Sequence, residues 1–512
     1  MVSLKQLTRR GIFRQMPLAL LLVLQAVNAV PLSTAEPAAG AARPMQQADI
    51  WNIEQLPTPE GVVLEVGALE WIPGSGTDGA RLVVASRRGE IWIATGVEGD
   101  LAQVRWQRFA EGLHEVLGLA WRNGWLYVTQ RCELSRLKDE TGDGVADVFE
   151  TVSDGWGING DYHEYAFGSK FDREGNIWIV LCLTGSGSSN SLFRGWCVRV
   201  NEDGRLLPTC SGIRSPGGIG FDCDGAVYYT DNQGLWNGTC SLKHLVPGDF
   251  MGNPVGNKWY ADAPEMGPAP EEPKSGSRIA TEARRIPKLR PPTILFPFSL
   301  MGQSAAGVVC DSTGGKFGPF AGQVLVTDQS HSIVMRCAIE TVDGVRQGAC
   351  FPMLAGLRSG SLVELFSPQG TLFIGGTNRG WGSRGAGDFA LERVTWTGVT
   401  PFEMRAIRVV PGGFEIEFTQ PVDAATAADP ASYAGRGFTY IYQSGYGSPV
   451  VDEEPCPITK AEPSADGRKV RLTVGNLREG VIHEIKAAGL RDRTGQPLLH
   501  DTGWYTLNRL PR

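Results

Sequence analysis

The chain has 512 residues, 42% hydrophobic and 20% charged, which fits a folded globular protein of about two or three domains and excludes a disordered one. Net charge is −7 with no basic stripe, which argues against nucleic acid as a partner. Sixty-six glycines and 14 tryptophans point to many turns and many aromatic strands.

The N-terminus carries Lys5, Arg9, Arg10 and Arg14, then the apolar run MPLALLLVLQAVNA over residues 16–29. A basic head, a short apolar run and a small-residue end are the pattern of a secretory signal. The run is too short for a good membrane span, so none is expected in the mature chain. Arg9-Arg10 loosely resembles a twin-arginine signal, and Sec and Tat export both stay open. Residues 1–29 are thus expected to be a signal peptide, 30–50 a linker, and the protein to be exported to the periplasm or cell surface of a bacterium.

From residue 51 one sentence is repeated: apolar alternation, a Gly-containing turn, then a β-branched and aromatic run with a polar exit. The clearest copy is GGIGFDCDGAVYYTDNQG at residues 217–234. Others are GLAWRNGWLYVT from Gly118, GSKFDREGNIWIV from Gly168, GVVCDSTGGKFGPFAGQVLVT from Gly307 and LVELFSPQGTLFI from Leu362. A looser first copy covers residues 69–85 and is followed by RRGEIWIATG. The starts Gly67, Gly118, Gly168 and Gly218 lie about 50 residues apart, a period that means propeller blades. One such sheet cannot bury both of its faces alone, so the copies must pack in a ring. The expectation is an all-β chain: a six-bladed β-propeller over residues 51–400, with an insertion at about 235–302. Short strands and turns from Pro401 onward predict a small Ig-like β-sandwich over 401–512, with a docking or presenting role.

Residues 139–150, DETGDGVADVFE, place Asp139, Thr141, Asp143, Asp147 and Glu150 at loop positions 1, 3, 5, 9 and 12, with Gly144 at position 6 and Val145 offering its carbonyl at 7. A hard cation needs several oxygens on a tightly turning backbone, and the spacing predicts a structural calcium loop between strands. The ten cysteines form no C-x-x-C. Export makes disulfides expected. Local staples such as Cys182 with Cys197, or Cys337 with Cys350, suit neighbouring strands, and the connectivity stays open.

Functional groups on a propeller sit on loops at the channel mouth. Asn159 to Tyr165, with Asp161 and His163, precedes the third copy, and Arg214-Ser215-Pro216 precedes the fourth. Asp231, Asn232 and Gln233 follow the fourth, Asp328 to His331 the fifth, and Asn378, Arg379 and Trp381 the sixth. Equivalent places in a repeat should converge at one end of the ring. His163 beside Asp161 suits a general base, and Arg214 suits a carboxylate of a ligand.

These features resemble the glucose/sorbosone dehydrogenase superfamily of soluble quinoprotein sugar dehydrogenases. The resemblance runs over residues 69–396, with RLVVASRRGEIWI similar to the first-blade strand pair, and it is closer to a bacterial branch of large exported proteins with patterns like TGDGVAD, YHEYAFG, RSPGGIGF, TDNQG, GGKFGPFAGQ and NRGWGS followed by a PFE-initiated C-terminal module. It implies pyrroloquinoline quinone (PQQ) bound over the channel, His163 as the base that takes the hydroxyl proton, and Arg214 as a cofactor clamp. Asn232, Gln233 and Arg379 join it as cofactor-binding candidates, and electrons would pass to a separate acceptor. The chain departs from the family where Ser215 stands for an Asn, where Asp328-Gln329 replaces a basic residue, and where paired arginines before the last blade are missing. Two other functions fit the same fold. One is a non-catalytic carbohydrate- or protein-binding propeller, with Trp156, Tyr162, Tyr165, Trp236 and Trp381 stacking on sugar rings. The other is a calcium-dependent lactonase with Asp231, Asn232 and Asp328 holding a channel metal.

Overall fold

The structure is a computed structural model that describes residues 43–74 and 79–512. The expected signal segment and the linker as far as residue 42 lie outside the described residues. No helix among the described residues is long and apolar enough to cross a membrane.

The repeated sentences form antiparallel four-stranded sheets, named A to F here in chain order of their first strands. Those first strands are Val66–Ile72, Gly118–Arg122, Ala166–Phe171, Pro216–Phe221, Ala305–Cys310 and Ser361–Phe366. Each packs against the next, and Ser361–Phe366 packs back on Val66–Ile72, so the inner strands form a closed cycle around a channel. The turns behave as their residues dictate. Asp222 Oδ1 accepts from Asp224 N at 3.0 Å and Ala226 N at 2.8 Å, and Gly225 takes φ 87°. Asp172 and Gly175 repeat that turn in sheet C.

Glycine recurs at the start of the copies because the inner strands approach backbone to backbone. A Cβ on Gly118 would lie 2.7 Å from Gly168 Cα. Outside the channel, apolar faces meet between sheets. Ile91 and Ile93 of sheet A pack with Leu119 and Val128 of sheet B, and Tyr127 of B with Ile177 and Trp196 of C. Sheet F takes its outer strand from the N-terminal side: Trp51–Gln55 pairs with Phe389–Trp396, Trp51 opposite Trp396. The expected insertion proves to contain half of sheet D. Ser241–Leu245 and the short Ile294–Leu295 are its outer strands. The excursion between them carries 3-10 turns and the helix Ile279–Arg285.

The C-terminal residues form two sheets with a shared core of Phe402, Met404, Phe414, Ile416, Leu472 and Tyr505. One of these sheets is continuous with sheet E. Its strand Thr502–Leu507 pairs with the outer strand Val345–Leu354, through Gly348↔Thr506, Ala349↔Tyr505 and Cys350↔Trp504. Sheet E thereby becomes eight-stranded. Arg336 of sheet E is fully buried at this junction. It donates to the carbonyls of Met404 and Arg405 and lies 4.2 Å from the ring centres of both Phe320 and Phe351.

The disulfide is not one of the local staples. Cys223, in the turn of sheet D, is bonded to Cys310 at the end of the inner strand of sheet E. Cys182, Cys197, Cys337 and Cys350 are free thiols. Cys337 and Cys350 do face each other across paired strands, and burial pushes both thiols up.

Candidate functional site

One mouth of the ring opens into a cavity of about 420 Å³ lined by His163, Arg214, Asn232, Gln233, Arg379 and Trp381, all expected from sequence. Arg87, Tyr165, Phe298, Gln303, Gln329 and Tyr446 are also part of its lining.

His163 projects from the loop before sheet C. Its Nδ1 lies 3.7 Å from Asp161 Oδ1. That carboxylate accepts from the His163 and Gly185 backbone N–H groups, each at 2.8 Å. The His163 N–H leads in holding the acid below its ordinary value. An ionised Asp161 therefore faces one ring nitrogen and leaves the other for ligand. Tyr162, Tyr165 and Trp381 surround the imidazole at ring-centre distances of 5.2, 6.2 and 6.0 Å.

The loop is held from below by a buried triad. Glu115 bridges Arg87 and Arg131 through its two oxygens. Burial works to raise this acid, and the two guanidiniums overcome burial and hold it low. Arg131 then donates to the carbonyls of Asp161 and Tyr162, the two residues that lead into His163. Sequence reasoning missed Arg87. It directly follows the second strand of sheet A, Arg81–Ser86, the same place in the repeat as Asn232 and Gln329. Applying the polar-exit rule to the first copy finds it.

Arg214 is 6% exposed, with the bare Cα of Gly234 against its guanidinium. Nη1 donates to Gln233 O at 2.7 Å, whereas the buried Nε has no hydrogen-bond partner. No carboxylate pairs with it among the described residues. Arg87 and Arg379, by contrast, keep Glu115 and Glu65 as partners. A buried, uncompensated guanidinium in a cavity is a place for an anion.

Several expectations are corrected. Trp156 and Trp236 are 4% and 6% exposed and serve as structure: Trp156 Nε1 donates to Arg131 O at 2.8 Å, and Trp236 packs on Tyr442. The channel-metal set is spent internally. Asp231 is fully buried against Lys243 Nζ at 2.9 Å, and Asp328 caps the N–H groups of Gln303, Ser304 and His331. In the 139–150 loop, Asp139 accepts from Gly142 N and Gly144 N, Asp143 from Val145 N, and Asp147 from Glu140 N, Thr141 N and the Thr141 hydroxyl. Glu150 turns away to Arg136 at 2.6 Å. Among the described residues no three or more His, Cys, Asp or Glu side chains gather to hold a metal.

Fold and cavity define a class: a closed ring of antiparallel sheets whose loops build a polar, aromatic-rimmed cavity. The chain belongs to the family described as Domain of unknown function (DUF7133), whose profile matches residues 66–347. No curated protein matches it. Among solved structures it is similar to one from Thermus thermophilus described as an oxidoreductase (glucose dehydrogenase). That pair is 18% identical, covers 67% of this chain and 99% of the other, and has a TM-score of 0.49. A PQQ-bound aldose sugar dehydrogenase from Streptomyces coelicolor is 16% identical over 68% of this chain and 98% of its own, with a TM-score of 0.46. A Trichoderma reesei carbohydrate-active enzyme of family AA12 is 12% identical over 69% and 98%, with a TM-score of 0.48. No activity is carried over at these identities.

Proposed function

We propose that the six sheets are the blades of an exported β-propeller with an Ig-like C-terminal module, and that the protein is a quinone-dependent oxidoreductase of a sugar or related alcohol. The observation that carries this reading is Arg214, buried and without an acid partner, in the same cavity as a histidine set against a carboxylate.

The donor set fits an anionic, planar ligand such as PQQ. Arg214 would hold one carboxylate, and the amide of Asn232 would donate to another. When bound, PQQ would supply a quinone that takes up the two electrons of the oxidised alcohol. His163 would accept the hydroxyl proton, with Asp161 stabilising the charged ring. Trp381 and Tyr162 would shield that side from water. The electrons then leave to a separate acceptor.

The test is purified protein mixed with PQQ, with and without calcium, and assayed on aldoses with a dye acceptor. The expected result is retained PQQ and dye reduction. Arg214→Gln is expected to weaken PQQ retention about tenfold or more. His163→Ala should keep PQQ while turnover falls about 10²–10⁴-fold. No retention and no turnover overturns the reading. The mouth then stands as a carbohydrate-binding surface, a second reading favoured by its exposed aromatics.

A further inference from the structure

The C-terminal module reaches into this mouth. Its loop after Ala434–Tyr440 is tied to the ring by main-chain bonds: Trp236 N to Gln443 O at 2.7 Å, Gly447 N to Gly234 O at 3.0 Å, and Gly276 N to Tyr442 O at 3.0 Å. The Tyr442 hydroxyl is fixed on Gly252 O. Between these anchors stands Tyr446, 67% exposed and lining the cavity, with Arg214 over one face of its ring at 5.3 Å.

Large aromatics exposed together around one cavity mark an interaction surface. Tyr446 is not alone. Of the five exposed aromatic side chains among the described residues, Phe149 lies elsewhere, whereas Trp381, Tyr446 and Phe298 line this cavity and Tyr162 adjoins it. Trp381 stands beside His163 and Tyr446 beside Arg214, so the platforms occupy separate parts of one cavity. The amides of Gln233, Gln303 and Gln329 line the same cavity. Open aromatic faces in one cavity with amide groups match a saccharide, whose rings present C–H faces and a hydroxyl edge.

We propose that the C-terminal module supplies a second sugar subsite centred on Tyr446, so that the protein takes the end of an oligosaccharide in preference to a free monosaccharide. This rests on the saccharide part of the reading above and deepens it. The first ring lies by Trp381 and His163, and the next stacks on the open face of Tyr446.

The test is calorimetric titration with glucose, galactose, mannose and xylose and with their β-1,4-linked dimers and trimers. Wild type, Tyr446→Ala and Tyr446→Phe are compared, with thermal melts confirming that each variant is folded. The expected result is at least one dimer or trimer bound about tenfold or more tighter than its monomer by wild type and Y446F, with the gap lost in Y446A. Equal affinity for monomers and oligomers, unmoved by Y446A, overturns the subsite and leaves the oxidoreductase reading standing. An oligosaccharide preference without quinone-dependent turnover upholds the subsite and removes the oxidoreductase. Binding of no saccharide overturns the subsite and removes sugars as the substrate.

Discussion

Glu364 stands on Ser361–Phe366 with its carboxyl directly over Gly307 of the neighbouring inner strand, where a Cβ would collide with it. Burial pushes this acid up to about 8. The unfolded chain gives up the same proton near 4.5, so between about pH 4.5 and 8 the folded state binds the extra proton. Stability therefore falls as pH rises through that window and levels off above it. Glu364→Gln removes the ionisation. It is expected to melt with wild type near pH 4.5 and to be more stable above pH 8, by on the order of 5 kcal/mol. Parallel melting curves for the two proteins from pH 4.5 to 9 would refute this. At the same scale, His163, Arg214, Asn232, Gln233 and Arg379 were legible because each falls at an equivalent place in the repeat. Tyr446 was not, because its loop belongs to no repeat and meets Arg214 only through pairing between distant segments. Glu115 and Arg131 were hidden for a related reason: they read as ordinary turn residues until the fold stacks them under the His163 loop.

Among elements, the link between sheets D and E is covalent as well as packed. Cys223 and Cys310 are 87 residues apart and enclose the whole excursion with helix Ile279–Arg285. Closing a loop of that length restrains the unfolded chain, and Cys223→Ser is expected to cost about 2–4 kcal/mol. The check is a denaturant titration of wild type and variant; coincident midpoints would show that the bond contributes nothing. The sheets themselves were readable from sequence because close approach of inner strands demands glycine, as at Gly118 against Gly168. Turn chemistry at Asp172 and Asp222 marked the hairpins. The two-residue strand Ile294–Leu295 was not readable, since it is too short to carry alternation and lies far along the chain from its partner Ser241–Leu245. The disulfide was not readable for a comparable reason: closeness in sequence suggested staples between neighbouring strands, while the bond joins different sheets.

For the whole molecule, the shared sheet makes the C-terminal residues part of the ring's own structure. Ending the chain at residue 400 would bare the edge of Val345–Leu354 and strip Arg336 of its carbonyl acceptors. An unpaired edge invites aggregation, and a buried cation without acceptors is strongly destabilising. The truncated chain is expected to be recovered mainly as aggregate; a soluble monomer melting near the full chain would contradict this. The change of rhythm at residue 400 does not coincide with a break in hydrogen bonding, because strands on both sides of it share one sheet. The closure of sheet F carries a different consequence, for the order in which the protein is made. Arg393 meets Glu54 across 339 residues, so the strand that leaves the ribosome early has to wait for one synthesised much later. Until then the nascent ring stays unsealed. Its first sheets would present apolar flanks to whatever factors attend the growing chain, and the final seal can form only after the sixth sheet has emerged.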